Sequence, residues 1–250
     1  MILQRMIPYN PLMARPLPGV QPFDLADWLH IDDAYAGQMA RRDALLAGQG
    51  VQVVAMDPAA HAPAQELLSM VLADVAQKPG FSQGVGHVQR PDGQKVAIDH
   101  TAPLASLGRL VQEDFCILQK QGNEHVLTGA VLCFPASWSL DEKFMRPLVG
   151  IHTPVDSYTD NMARRVQRLF DGVQPGRPLW RFNALWYANA ELHQPRREND
   201  RRPERDRQDT PFLRSERQCI LRLPKTGAVV FSIHTYVLHR SDVPGVQAQG

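Results

Sequence analysis

Three pairs of short strand-like runs, each pair joined by a tight turn containing glycine, constrain this chain more than any other feature. From Gly86 onward the apolar residues change from helical to alternating spacing. Residues 87–90 and 94–99 flank Pro91-Asp92-Gly93, residues 114–120 and 125–134 flank Gln121-Gly122-Asn123, and residues 217–224 and 228–238 flank Lys225-Thr226-Gly227. Runs joined so closely pair as hairpins, and hairpins build an antiparallel sheet. Helical patterns fall in separate blocks. Asp32 and Asp33 cap a helix running to about Leu46, with Tyr35, Met39 and Leu46 near one face. A second helix from about Ala64 to Ala76 carries the stripe Leu67, Leu68, Val71, Leu72 and Val75 and ends at Pro79-Gly80. A helical insert is expected between the second and third hairpins. Segregated helices and hairpins predict an α+β fold, with an arm and helical extension over residues 1–82 packing on a core of residues 83–250 as one structural unit. The proline-rich first twenty residues read as an extended arm over the surface.

Composition narrows the function by exclusion. Twenty-seven basic residues against 26 acidic give a formal charge of +1, which attracts neither nucleic acid nor a membrane surface. No run of about 18 apolar residues exists and the N-terminus lacks a signal peptide's apolar centre, so a cytoplasmic location is expected. Cys116, Cys133 and Cys219 are widely spaced, whereas a self-contained iron–sulfur cluster generally needs four thiolates at closer spacing. No Gly-rich dinucleotide fingerprint opens a helix after a strand. A redox enzyme of this sequence must therefore receive its electrons from elsewhere. Hydrolysis is unsupported, because neither a G-x-S-x-G elbow nor an H-E-x-x-H pair occurs. Residues 196–209, with six arginines, five acids and no apolar side chain, read as a solvated loop or a lid.

The most informative stretch runs from Phe134 to Tyr158. Ser139 and Glu142 have capping-box spacing, so a helix is expected from about Leu140, and Pro147 breaks it. His152 follows where regular structure stops, with Pro154 holding Thr153 extended. A histidine pinned between two prolines suits an axial iron ligand. By spacing alone, a lone histidine among apolar neighbours is more often a hydrogen-bonded structural residue.

The blocks FDLADWLHIDDAYAGQMARRDALL, LVQEDFCIL, FPASW…EKFMRPLVGIHTPV, PGRPLWRFN and LRSERQCILRLPKTGAVVFSIHTYV occur in that order. Together they resemble the haem-dependent oxidative N-demethylase family over roughly Phe23 to Val237. The resemblance implies a PAS-like curved sheet enclosing haem b in a catalytic subunit. It also implies demethylation of a small secondary amine such as dimethylamine with O2, releasing formaldehyde. Electrons would come from NADPH through FMN and a [2Fe–2S] centre on a partner reductase subunit. His152 is then the expected iron ligand, with His234 and His239 as alternatives. Lys143, Arg146, Arg214 and Arg217 are candidates for the haem propionates, because an arginine fork matches a carboxylate. Trp138, Trp180, Phe182 and Trp186 are candidate pocket walls, or ordinary core aromatics. Asn183 is a candidate distal donor, and Glu216 orients an arginine or faces an amine cation. Ala184, Asp156-Ser157 and His234 stand where the family usually has tryptophan, Pro-Gly and arginine, departures that bear on substrate. The alternative is a haem-binding PAS-like gas or redox sensor without turnover. Such a sensor needs a coiled-coil linker or output domain, and none is expected in these 250 residues.

Overall fold

A computed structural model describes residues 1–13, 18–48, 52–152, 160–198, 200 and 210–246, the side chains of 152 and 160–163 excepted. The hairpins set its frame. Strands β6 (Asp114–Gln121) and β7 (Glu124–Val131) pair around Gly122, whose φ of 62° is the left-handed conformation that glycine adopts without strain. Strands β9 (Phe212–Arg222) and β10 (Val229–His239) form the longest ladder, eleven paired residues. The first hairpin, β4 (His87–Gln89) and β5 (Lys95–Ala97), joins β3 (Ser82–Gly84) in a separate three-stranded sheet.

The large sheet has three further strands, β1 (Gln21–Pro22), β2 (Val54–Met56) and β8 (Leu179–Tyr187), in the order β1-β8-β9-β10-β6-β7-β2, all antiparallel. The fold is α+β, as the segregated pattern predicts. Strands β1 and β2 come from the first 82 residues and form the two edges of this sheet. The expected helical insert is only partly helical, because β8 follows its helices. The sequence leaves β8 without a hairpin partner, and its cavity-side residues Arg181 and Asn183 interrupt the apolar run. The signal that reveals it is the aromatic alternation of Trp180, Phe182 and Trp186.

Helices α1 (Tyr35–Ala47), α2 (His61–Val75) and α3 (Pro103–Leu110) cover one face of the sheet. Their apolar stripes pack with Phe115, Ile117, Val131, Leu221 and Val230. The expected cap by Asp32 and Asp33 is not formed: the N-cap of α1 is Ala34, which has no side-chain cap, Asp32 accepts Ala34 N–H at 2.9 Å in the turn before the helix, and Asp33 accepts Arg5 N–H at 3.0 Å. The helix α3 lies against β7 so closely that a Cβ on Gly108 would stand 2.7 Å from Val131 Cγ2. The N-terminal arm does more than cross the surface. Gln4 is fully buried and bonds both backbone directions of β10, donating to Thr235 O at 3.1 Å and accepting from Val237 N at 2.8 Å. Its partners satisfy an amide that would otherwise be costly to bury.

The other face is covered by α4 (Leu140–Lys143), α5 (Leu148–His152) and α6 (Asp160–Gly172). Leu140, Leu148, Phe170 and Val173 pack there with Leu118, Leu127, Ala130 and Val229. The helix expected to run from Leu140 to Pro147 stops earlier, at Lys143, because Phe144 turns extended and Met145 takes a φ of 60°; α5 begins directly after Pro147. Most of the Arg-rich segment, 199 and 201–209, and the Asp156-Ser157 departure lie outside the described residues.

Candidate active-site cavity

Side chains alternate across a sheet, so the register of β8, β9 and β10 decides which candidates can meet. Asn183 pairs with Glu216, which pairs with Thr235, and Arg181 pairs with Gln218, which pairs with Ile233. These rows face α4–α6. Trp180, Phe182 and Trp186, with Arg217, Cys219, His234 and Tyr236, stand on the opposite face. The helices cover mainly the β6–β7 half of their face, and over the rest lies a cavity of about 590 Å³. That is ample for a small organic ligand or cofactor.

The cavity is graded in polarity. Cys116, Leu118, Leu127, Ile151, Phe170 and Phe231 make an apolar part, and Trp138 also lines it. Arg181, Asn183, Glu216 and Gln218 make a polar floor, and Glu142, Lys143, Arg196, Arg197 and Glu198 contribute a charged wall. Glu216 is 4% exposed. Its Oε2 accepts from Asn183 Nδ2 at 3.1 Å and Gln218 Nε2 at 3.0 Å, and Asn183 Oδ1 in turn accepts from Glu216 N at 3.2 Å. Its buried Oε1 has no hydrogen-bond partner among the described residues. The nearby cation is Arg214 Nη2 at 3.8 Å, whose two terminal nitrogens already donate to Leu192 O and Phe134 O. One carboxylate oxygen is thus fixed by two amides, and the other lies buried without a donor.

The remaining candidates separate. Lys143 is buried, donates to Ile151 O at 2.8 Å and pairs with Glu198, which also takes Arg146 Nη1 at 3.0 Å. Arg146 lies outside the cavity lining. Helix α5 ends at His152, one residue beyond the lining residue Ile151. Arg217 is on the far face, donating to Trp28 O at 2.9 Å and Asp27 O at 2.7 Å with its guanidinium over Phe23 and Trp180. His239 is exposed beside Ser241. Trp180 and Phe182 pack with Tyr9 of the arm. Arg181 and Gln218 escape sequence reading, because only the cross-strand register puts them beside Glu216.

His234 belongs to a second, closed cluster. Its Nδ1 lies 2.9 Å from Glu113 Oε1 and its Nε2 3.0 Å from Asp32 Oδ2. Burial alone would lower its pKa, but the two carboxylates outweigh burial and hold it up at about 9. Burial would raise Asp32, yet His234 and the amides of Gln112 and Gln4 bring it down to about 2. His30, whose Nδ1 meets Tyr236 Oη at 2.6 Å, is lowered to about 4 by burial and then by the neighbouring His234 and Arg217 charges.

Fold and cavity together define an α+β protein with a recessed small-ligand site, apolar on one side and acidic and basic on its floor. Residues 19–248 match the family described as haem-dependent oxidative N-demethylase, alpha subunit-like. The chain belongs to that family. The cavity fits the group the family depends on: apolar walls suit a flat ring, and a buried guanidinium nitrogen without a partner suits its acidic edge. No helix among the described residues is long and apolar enough to cross a membrane.

Proposed function

We propose that this protein is the haem-binding catalytic subunit of an oxidative N-demethylase acting on a small secondary amine of the dimethylamine kind, within a PAS-like fold. The observation that carries the reading is the buried, donor-free Oε1 of Glu216 on the floor of a cavity whose helical wall ends at His152. Haem b bound there through His152 would supply the iron at which O2 is activated for oxidation of an N-methyl carbon. Overall, the amine's N–CH3 group, O2, two electrons and two protons yield the demethylated amine, formaldehyde and water. The electrons come from a partner reductase carrying NADPH, FMN and [2Fe–2S], and the subunit works in the cytoplasm.

This chain's own residues bind and orient. Glu216 Oε1 accepts the N–H of the substrate ammonium, which turns an N-methyl group away from the carboxylate. Asn183 and Gln218 are positioning residues that hold Oε2 and so fix the free oxygen. Ile233, Phe231 and Trp138 exclude water around the methyl group, which strengthens the charge-assisted bond at Glu216. Lys143, bonded to Ile151 O beside His152, fixes the end of α5 and presents a charge to a propionate. Arg146 reinforces it through the shared Glu198, and Arg214 holds the backbone beneath Glu216. Arg217 and His234 stabilise the opposite face of the same strands.

The test is amine-dependent formaldehyde release from haem-loaded protein supplied with an electron donor. Release with dimethylamine that disappears in Glu216→Gln supports the reading. A haem-loaded protein that binds gases reversibly but releases no formaldehyde from any secondary amine would be a sensor instead.

A further inference from the structure

The cavity floor holds one charge that the reading above does not use. Arg181 lines the cavity from β8, its Nε is buried, and that nitrogen has no hydrogen-bond partner among the described residues. It forms no ion pair within 4.0 Å among the described residues, although Glu216 sits on the neighbouring strand one cross-strand row away, a spacing of about 7 Å between rows. Arg181 as a whole is half-buried, whereas Arg42, Arg90, Arg214 and Arg217 are buried outright and each donates to backbone carbonyls or carboxylates; Arg214 Nε is also without a partner among the described residues, but both of its terminal nitrogens are taken. A guanidinium nitrogen buried without a partner is costly, and a carboxylate bonded side-on through Nε and a terminal nitrogen facing the cavity removes that cost.

We propose that Arg181 is the seat of a carboxylate brought into the cavity by a ligand, and that it, not Arg214 or Arg217, is the arginine fork of this site. The proposal rests on the assignment of the cavity made above. Two sources carry the chemistry. One is a propionate of haem. The other is the carboxylate of an N-methyl amino acid, whose nitrogen would meet Glu216 while its acid meets Arg181. Loss of charge at Arg181 weakens whichever ligand supplies the carboxylate, and Arg214 and Arg217, already committed to main-chain carbonyls, cannot replace it.

The experiment uses the full chain and two variants, Arg181→Gln and Arg181→Lys, with thermal unfolding to verify that each is folded. The lysine variant keeps the charge and loses the fork, so it serves if the glutamine variant does not fold. Haem affinity is read by absorbance titration of the haem-free protein. Binding of dimethylamine and of N,N-dimethylglycine to the haem-loaded protein is read by calorimetry. A hydrogen bond between charged groups is worth a factor of roughly 10 to 150 in affinity. Haem affinity reduced by that factor in Arg181→Gln, with amine preference unchanged, assigns the seat to a propionate. Wild-type preference for N,N-dimethylglycine over dimethylamine, abolished in Arg181→Gln with haem affinity unchanged, assigns it to the substrate. Wild-type protein that takes up haem while the variant matches it within twofold in every affinity overturns the proposal and leaves the N-demethylase reading standing. Wild-type protein that takes up no haem and binds neither amine overturns both.

Discussion

The α1–α3 side of the molecule and the cavity bury charge in opposite ways. At the start of β6, against α1 and the end of α3, Arg42 donates to Asp114 Oδ1 at 2.7 Å and to the carbonyls of Gly108, Gln112 and Glu113, while Asp114 also accepts from Cys133 N and Phe134 N. His234 lies between Asp32 and Glu113. Glu113 Oε2 is unbonded there, yet its other oxygen takes both His234 and His30 N. On the cavity face, Glu216 and Arg181 each present a buried atom with no hydrogen-bond partner among the described residues. Charge that is saturated by its own chain maintains a fold, whereas charge left unsaturated at a cavity wall needs something from outside. Residues 216 and 217 are adjacent in sequence, and only the strand's alternation sends one to each purpose.

This contrast predicts that substitutions on the saturated side cost stability and those on the cavity face cost binding. The largest effect is expected for Asp114→Ala, which strands the Arg42 guanidinium. Breaking a buried pair from one side costs about 3–5 kcal/mol, so urea denaturation should show a loss of that size.

The next effect is on pH dependence. His234 is raised in the fold from 6.5 to about 9, so its contribution is complete below pH 6.5 and is lost as pH rises through 9. A shift of that size corresponds to on the order of 3 kcal/mol. His30 is lowered from 6.5 to about 4, so its contribution is complete above pH 6.5 and is lost as pH falls towards 4. Stability governed by the pair should peak near pH 6.5, and His234→Gln should remove the alkaline limb while the acid limb remains. Denaturation across pH 4–10 that shows no alkaline limb in the wild type would break the comparison on the saturated side.

Glu216→Gln should have the opposite profile. The amide preserves an acceptor for Asn183 and Gln218, so stability should change by less than about 1 kcal/mol, while calorimetry should show amine affinity falling roughly 10- to 150-fold. The smallest effect is expected for Ser139→Ala. Ser139 Oγ donates to Glu142 Oε2 at 3.1 Å and makes no hydrogen bond to the helix backbone, so its loss should lie within about 0.5 kcal/mol by thermal unfolding.

The sequence makes the sheet legible because turn chemistry is local: Asp92-Gly93, Gly122-Asn123 and Thr226-Gly227 each mark their hairpin without reference to the rest of the chain. Helices α1 and α2 are legible through their apolar period. Strand β8 is harder, because its two faces carry aromatics on one side and Arg181, Asn183 and Leu185 on the other. The site is less legible than the fold. Glu216 and Asn183 stand out as polar residues in strand-like runs, but their contact is a matter of register over 33 positions of sequence. Arg217 and Arg214 look equivalent in LRSERQ, and only tertiary contacts show that backbone carbonyls occupy both. His234 reads as an exchanged charge at a possible ligand position, and its two carboxylate partners come from distant segments at 32 and 113.

The central claim is that the cavity between the sheet and α5 holds haem through His152, and it is tested most directly by absorbance titration of wild type and His152→Ala with haem. The account predicts that the wild type takes up one equivalent with a ligated-haem spectrum, and that the variant shows a changed spectrum and weaker uptake. A variant whose haem spectrum and affinity match the wild type would contradict it.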